Sequence, residues 1–321
     1  MGERVYLWDN IKVILMVLVI LTHSVCIYQI GGGGKWIEYY WVFVMTYTMP
    51  LFTLASGYWF KQKAFGKVLY RFLWPCIIFS IVNFAWGSLF YEPYKEATLN
   101  TYLRFGYAMW YLWALFIYYL LTPLLLRYLR LSTLFVLSLA FALIAGVIPF
   151  IGGALQLSRV ICFYPFFIMG MLLRKHSDQM KPIGRKYQWA IVLLTLSILY
   201  IVIDFFFPGV VYQTGFVSGY GLSIRGFVWR VFTYFMCMAM CLAVIYAMPE
   251  KKLWFSKYGT RTMNVYLLHM LIVFPCTWYV GSAIKDEWYG YVFLIIGVPL
   301  LCMPLFSKKV DCLMKKVLLI S

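Results

Sequence analysis

The chain has 321 residues, of which 64% are hydrophobic, 21% aromatic and only 12% charged, with a mean hydropathy of +0.82. A soluble domain of this length does not carry that composition; runs of about twenty apolar residues recur along the chain and predict an all-α polytopic membrane protein. The formal charge of +17, from 28 Lys and Arg against 11 Asp and Glu, therefore reads as loop anchors facing membrane lipid, and no nucleic-acid partner is expected.

About ten transmembrane helices are expected, near residues 8–30, 38–60, 70–90, 107–127, 132–151, 157–174, 187–207, 224–248, 262–283 and 288–307. The connections are short, and residues 1–321 are expected to form a single transmembrane domain. Positive charge alternates from loop to loop. One side holds Arg4 and Lys12, Lys61 to Arg71, Arg127 and Arg130, Arg174 to Lys186, Lys251 to Arg261, and Lys308 to Lys316. The other side holds only Lys35, Lys95, Arg104, Arg159, Arg225, Arg230 and Lys285. The cation-rich side is the cytoplasmic one, which puts both termini inside. The first apolar run lacks a small-residue cleavage site, so an uncleaved first span is expected.

That first span carries a histidine, His23, in the middle of its apolar run. An ionisable group at such depth is costly and faces a bundle interior or a wet cavity. At 3.6 residues per turn, Asp9, Lys12 and His23 share a stripe about 60° wide, with His23 about 16 Å deeper than Lys12. A charged mouth above a titratable group marks a site reached from one side of the membrane. Asp9 lies about 21 Å from His23 by helical rise, too far to orient it; Lys12 or Arg71 is its expected partner.

Gly31–Gly34 lack the Lys-Ser/Thr and the preceding strand of a phosphate loop and read as a flexible hairpin. In the second span Pro50 and the pair Ser56-Gly57 interrupt an apolar helix, either to let helices approach closely or to line a cavity. Lys61, Lys63, Lys67 and Arg71 then stand within eleven residues at the inner face, where they could meet lipid headgroups or the phosphates of a cytosolic cofactor.

Arg159, Arg225 and Arg230 sit on the side that the charge bias disfavours. They suggest a polar outer cavity for an anionic or hydroxyl-rich ligand, with Asp204 as a partner for one of them; the alternative is snorkelling to headgroups. In the ninth span Tyr266 and His269 are neighbours on one helical face. Eight cysteines (Cys26, Cys76, Cys162, Cys237, Cys241, Cys276, Cys302 and Cys312) form no CxxC pair and read as packing residues; no metal is expected.

Six segments together resemble the family-three membrane acyltransferases, the integral-membrane O-acetyltransferases of polysaccharides. They are Arg4-x4-Asp9-x2-Lys12-x10-His23, Met49-Pro-Leu-Phe52 with Ser56-Gly57-Tyr58, Arg71-Phe-Leu-Trp-Pro75, Trp110-Tyr-Leu-Trp-Ala-Leu115, and Gly259-Thr-Arg-Thr-Met-Asn-Val-Tyr266-Leu-Leu-His269. The sixth, Arg159 to Gly170 with Phe163-Tyr-Pro165-Phe166 at its centre, resembles the fucose-acetylase-like branch. The ordered set covers nearly the whole chain.

The resemblance implies transfer of an acyl group, usually acetyl from acetyl-CoA as co-substrate, to a hydroxyl of an envelope glycan or lipid-linked sugar. The setting it implies is the bacterial cytoplasmic membrane. The basic-x10-His pair of the family falls on Lys12 and His23, with Asp9 beside them. Its basic residues after the second span fall on Lys67 and Arg71 as CoA contacts, flanked by Lys61 and Lys63. His269, Tyr266, Trp110, Arg159, Arg225 and Arg230 are expected around the acceptor. An alcohol is a poor nucleophile at neutral pH, and imidazole suits the task of deprotonating it; His23 is expected as general base, with an acetyl-imidazole intermediate as the second mechanism. The competing class is a transporter or flippase of a glycan-related or anionic solute, which ten spans and outer arginines would also suit.

Overall fold

The computed structural model describes residues 6–29, 44–90, 108–148, 151, 154–177, 184–207, 219–284 and 287–318. Arg4, the Gly31–Gly34 hairpin, the first residues of the expected second span and the Asp204 side chain lie outside this set. Among the described residues every regular element is a helix, and each expected span has one in its place. They are α1 (Tyr6–Gln29), α2 (Thr48–Tyr58), α3 (Phe65–Gly87), α4 (Trp110–Leu125), α5 (Leu131–Ala145), α6 (Leu157–Lys175), α7 (Lys186–Phe206), α8 (Ile224–Ala247), α9 (Thr262–Ala283) and α10 (Trp288–Phe306). Seven, namely α1, α3 and α6 to α10, are long and apolar enough to cross a bilayer; α4 and α5 are apolar but shorter. The protein is an all-α polytopic membrane protein. A short amphipathic helix, α11 (Lys308–Val317), follows the last span.

The third helix begins at Phe65, earlier than its apolar run suggests, so Lys67 and Arg71 sit on the helix itself. Its turn at Leu69–Leu73 is a π-turn. Pro75 supplies no N–H and its ring would strike the Arg71 carbonyl four residues back, so the helix widens there. The same device recurs in α10, where a π-turn at Phe293–Gly297 precedes Pro299.

The chain groups into two compact units. The first contains residues Met1–Val44, Trp74–Tyr102 and Pro249–Ser321, the second Met45–Leu73 and Leu103–Met248.

In the first unit α9 packs along α1 and against both the Trp74–Gly87 part of α3 and α10. Pro275 inside α9 cannot donate to the Leu271 carbonyl four residues back; the indole Nε1 of Trp86 donates to it at 2.9 Å instead. One end of the unit is tied by polar contacts. The fully buried Asn10 donates from Nδ2 to the carbonyls of Pro249 and Lys251 at 2.9 and 3.1 Å. Its Oδ1 accepts from the Ser256 hydroxyl. Arg261 donates to the Phe306 carbonyl at 3.0 Å, and Asn264 to Asp311 at 3.0 Å. Burial aside, the bonds from Asn264 and Lys315 hold the Asp311 carboxyl below its usual range. These are all segments that the charge alternation assigns to one side, and they gather at one end.

In the second unit α2 lies along α6, and α6 packs on α4 and α5, while α7 pairs with α8. The contact of α2 with α6 is backbone to backbone. A Cβ at Gly57 would overlap the Phe167 carbonyl, and one at Gly170 the Leu54 carbonyl and the Tyr58 amide. Small residues let membrane helices meet this closely. The expected interruption of this helix does not occur: α2 runs unbroken from Thr48 to Tyr58, with Pro50 in its first turn, where its missing N–H costs no helical bond, and Ser56-Gly57 in its last. The Tyr111 hydroxyl donates to the Phe52 carbonyl at 3.0 Å and accepts from Ser56 at 2.7 Å, joining α4 to the C-terminal half of α2. Gly57→Val is expected to lower stability by at least about 1–3 kcal/mol, because neither backbone can yield without moving a helix. A drop in the detergent melting temperature would register it, and an unchanged melting temperature would contradict the packing.

Candidate active site

The first unit brings two histidines from opposite ends of the sequence together. His269 Nε2 lies 3.3 Å from His23 Nδ1, with ring centroids 5.0 Å apart. His269 is fully buried and His23 half-buried. The Sδ of Met270 approaches His23 Nδ1 at 2.9 Å, and the Tyr266 ring lies 6.4 Å from that of His269.

The bonding partners assign the tautomers. His269 Nδ1 is 2.8 Å from the Tyr266 carbonyl and 3.0 Å from that of Val265. Carbonyls only accept, so in the neutral ring this nitrogen carries the proton and Nε2 presents its lone pair. His23 Nδ1 therefore faces two acceptors, that lone pair and a thioether, and must be the donor. The remaining nitrogen of His23, Nε2, is then the basic one. A chain runs from a helix carbonyl through His269 to His23 and fixes which nitrogen can take a proton.

At the mouth of α1, Lys12 Nζ pairs with Asp9 Oδ1 at 3.0 Å. Asp9 is buried, because Gly259 packs against it closely enough that a Cβ there would press on the Asp9 side chain. Of the two partners expected for Asp9, this contact is to Lys12.

The second unit holds the other expected residues. Lys61, Lys67 and Arg71 are exposed and Lys63 half-buried. Burial first, and then repulsion from Arg71, Lys67 and Lys61, push the Lys63 ammonium below its ordinary range. Such a cluster favours a polyanion that would relieve the repulsion. Arg159 lies over the Trp110 ring at 4.9 Å. Arg230 is fully buried, over the Tyr220 ring at 5.5 Å, and its Nη1 reaches Cys162 Sγ at 3.1 Å. Arg225 is exposed on the first turn of α8. An apolar groove of about 570 Å³ between α4, α5 and α6 is lined by side chains such as Leu121, Leu134, Phe141 and Ile161.

Residues 5–307 match the family described as an acyltransferase domain. The chain belongs to the family-three acyltransferases. Over 203 residues it is 28% identical to nodulation protein NolL of Mesorhizobium japonicum, which covers 58% of this chain and 52% of that protein. The chain thus spans about half the length of that relative. No solved structure matches it.

Two residues of this acyltransferase domain were not singled out from the sequence: Met270, which touches His23, and Asn10, which fixes the end of α1 beside Asp9. Met270 is one more apolar residue in an apolar helix, and Asn10 lies between Asp9 and Lys12 with nothing to show that it ties α1 to the segment from Pro249 to Ser256. Only its polarity in an apolar run could have drawn notice.

Proposed function

We propose that the protein transfers an acyl group, acetyl foremost, from cytosolic acyl-CoA to a hydroxyl of an envelope glycan or lipid-linked sugar, in a bacterial cytoplasmic membrane. Family membership supports acyl transfer, and the His23–His269 pair is the observation that carries the mechanism. His23 Nε2 removes the hydroxyl proton as the oxygen attacks the thioester carbonyl. The tetrahedral intermediate collapses, the C–S bond breaks, and the CoA thiolate takes the proton back from the imidazolium. His269 holds the ring and its tautomer. Lys12 and Asp9 form a fixed polar mouth, while Arg159 over Trp110 and the exposed Arg225 offer donors to a hydroxyl-rich acceptor; Arg230, fully buried against Cys162 and Tyr220, is not among them.

The test is transfer of label from acetyl-CoA by the purified protein in detergent, with mass analysis of surface glycans from cells with and without it. An added acetyl is expected; binding of acetyl-CoA with no transfer to any glycan fraction would overturn the proposal. Lys61, Lys63, Lys67 and Arg71 supply charge for the donor's phosphates. Lys67→Ala with Arg71→Ala is expected to raise the KM for acetyl-CoA about tenfold or more, from two lost charge-assisted bonds, and to leave the acceptor KM alone. The same donor KM should rise with salt. It should also rise at alkaline pH, because the lowered Lys63 loses its proton sooner than an isolated lysine.

A further inference from the structure

Among the described residues, three polar atoms on one face of α3 in the first unit have no hydrogen-bond partner: Ser80 Oγ, Asn83 Nδ2 and Asn83 Oδ1. Asn83 is only 6% exposed. The two residues are three apart and therefore stacked along the helix. A buried carboxamide with both of its groups unsatisfied is costly, and polar groups kept inside a membrane bundle mark ligand paths.

Their height in the unit follows from neighbouring contacts. Trp86, three residues after Asn83, bonds the Leu271 carbonyl; Phe90 meets the Trp278 ring at 6.0 Å. Both chains advance together, so α3 and α9 run parallel. Counting back from these two contacts brings Asn83 level with the turn Leu268–Leu271, which carries His269 and Met270. Ser80 lies three residues, about 4.5 Å, nearer the end that the charge alternation makes cytoplasmic.

We propose that Asn83, with Ser80, binds the amide-bearing arm of the acyl donor and sets its thioester beside the histidine pair. This rests on the acyl-transfer reading. A carboxamide with an open donor and an open acceptor is matched by a group that presents both, and the donor carries an amide two carbons from its sulfur. A donor entering from the cytosol would reach Ser80 before Asn83, and the thioester would lie just beyond that amide.

The experiment compares three thioesters on the full chain in detergent: acetyl-CoA, S-acetyl-N-acetylcysteamine, which keeps that amide, and S-butyl thioacetate, which lacks it. The wild type is expected to prefer the amide-bearing short donor about tenfold or more in kcat/KM. Asn83→Ala should erase the preference and raise the acetyl-CoA KM about tenfold, with the acceptor KM unchanged. Ser80→Ala should act in the same direction more weakly, and it decides the matter if the Asn83 variant does not fold. A preference that survives Asn83→Ala, or an effect on the acceptor KM alone, overturns the proposal and leaves acyl transfer standing. A wild type that transfers from no thioester overturns both.

Discussion

Replacing His23 with alanine is expected to lower kcat for acyl transfer by about a thousandfold, within the range that a positioned general base contributes, while acyl-CoA still binds. Alanine also removes the donor that faces the buried Nε2 of His269, so some stability is lost as well, on the order of 1–3 kcal/mol for an acceptor left unsatisfied. His23→Gln separates the two effects. Its amide can still donate to His269 but cannot take a proton at neutral pH, so this variant should melt near the wild type and be as inactive as alanine. Label transfer and detergent melting temperature, measured side by side, read the two quantities. With acetyl-CoA and no acceptor, a general base leaves the protein unlabelled; stable acetylation of His23 would favour the covalent route instead. Full activity in His23→Ala would sink the mechanism.

Much of this site could be read before the fold was known, for a physical reason. A charge or an imidazole in an apolar span is expensive, so Lys12 and His23 stand out in a single sequence; the helical angle between Asp9 and Lys12 allows their ion pair but left Arg71 open as a second partner. Spans were legible from hydropathy for the same reason. Lateral neighbours were not. Nothing in the period of α1 or α9 says that the two helices pack, so the partner of His23, 246 residues away, could only be suspected from its depth. Five of the six segments that carried the resemblance make sense as pairs once packed. His23 meets His269 and Asp9 meets Gly259 in one unit; Ser56 meets Tyr111 and Trp110 meets Arg159 in the other. The early start of α3 at Phe65 was missed because lysines normally end an apolar run, whereas here the helix extends past the hydrophobic stretch and carries Lys67 and Arg71 with it.

Replacing His269 tests whether it acts through His23 or only fills space. His269→Leu keeps the volume but removes the acceptor from His23 Nδ1, so the ring is free to turn or to adopt the other tautomer. A group that orients a reactive histidine typically accounts for about 10–100-fold in activity, and the loss is expected in kcat with both KM values nearly unchanged. A void or a distorted helix would instead show first as a lower melting temperature and a general loss of binding. His269→Gln supplies an amide oxygen that can accept from Nδ1 and an NH2 that can donate to the helix carbonyls, so it should recover part of the lost kcat where leucine does not. The decisive comparison is the double variant. If His269 works only by holding His23, adding His269→Leu to His23→Ala should cost no further activity, because residues that act as one unit are strongly non-additive. Independent, multiplying losses would give His269 a task of its own at the acceptor.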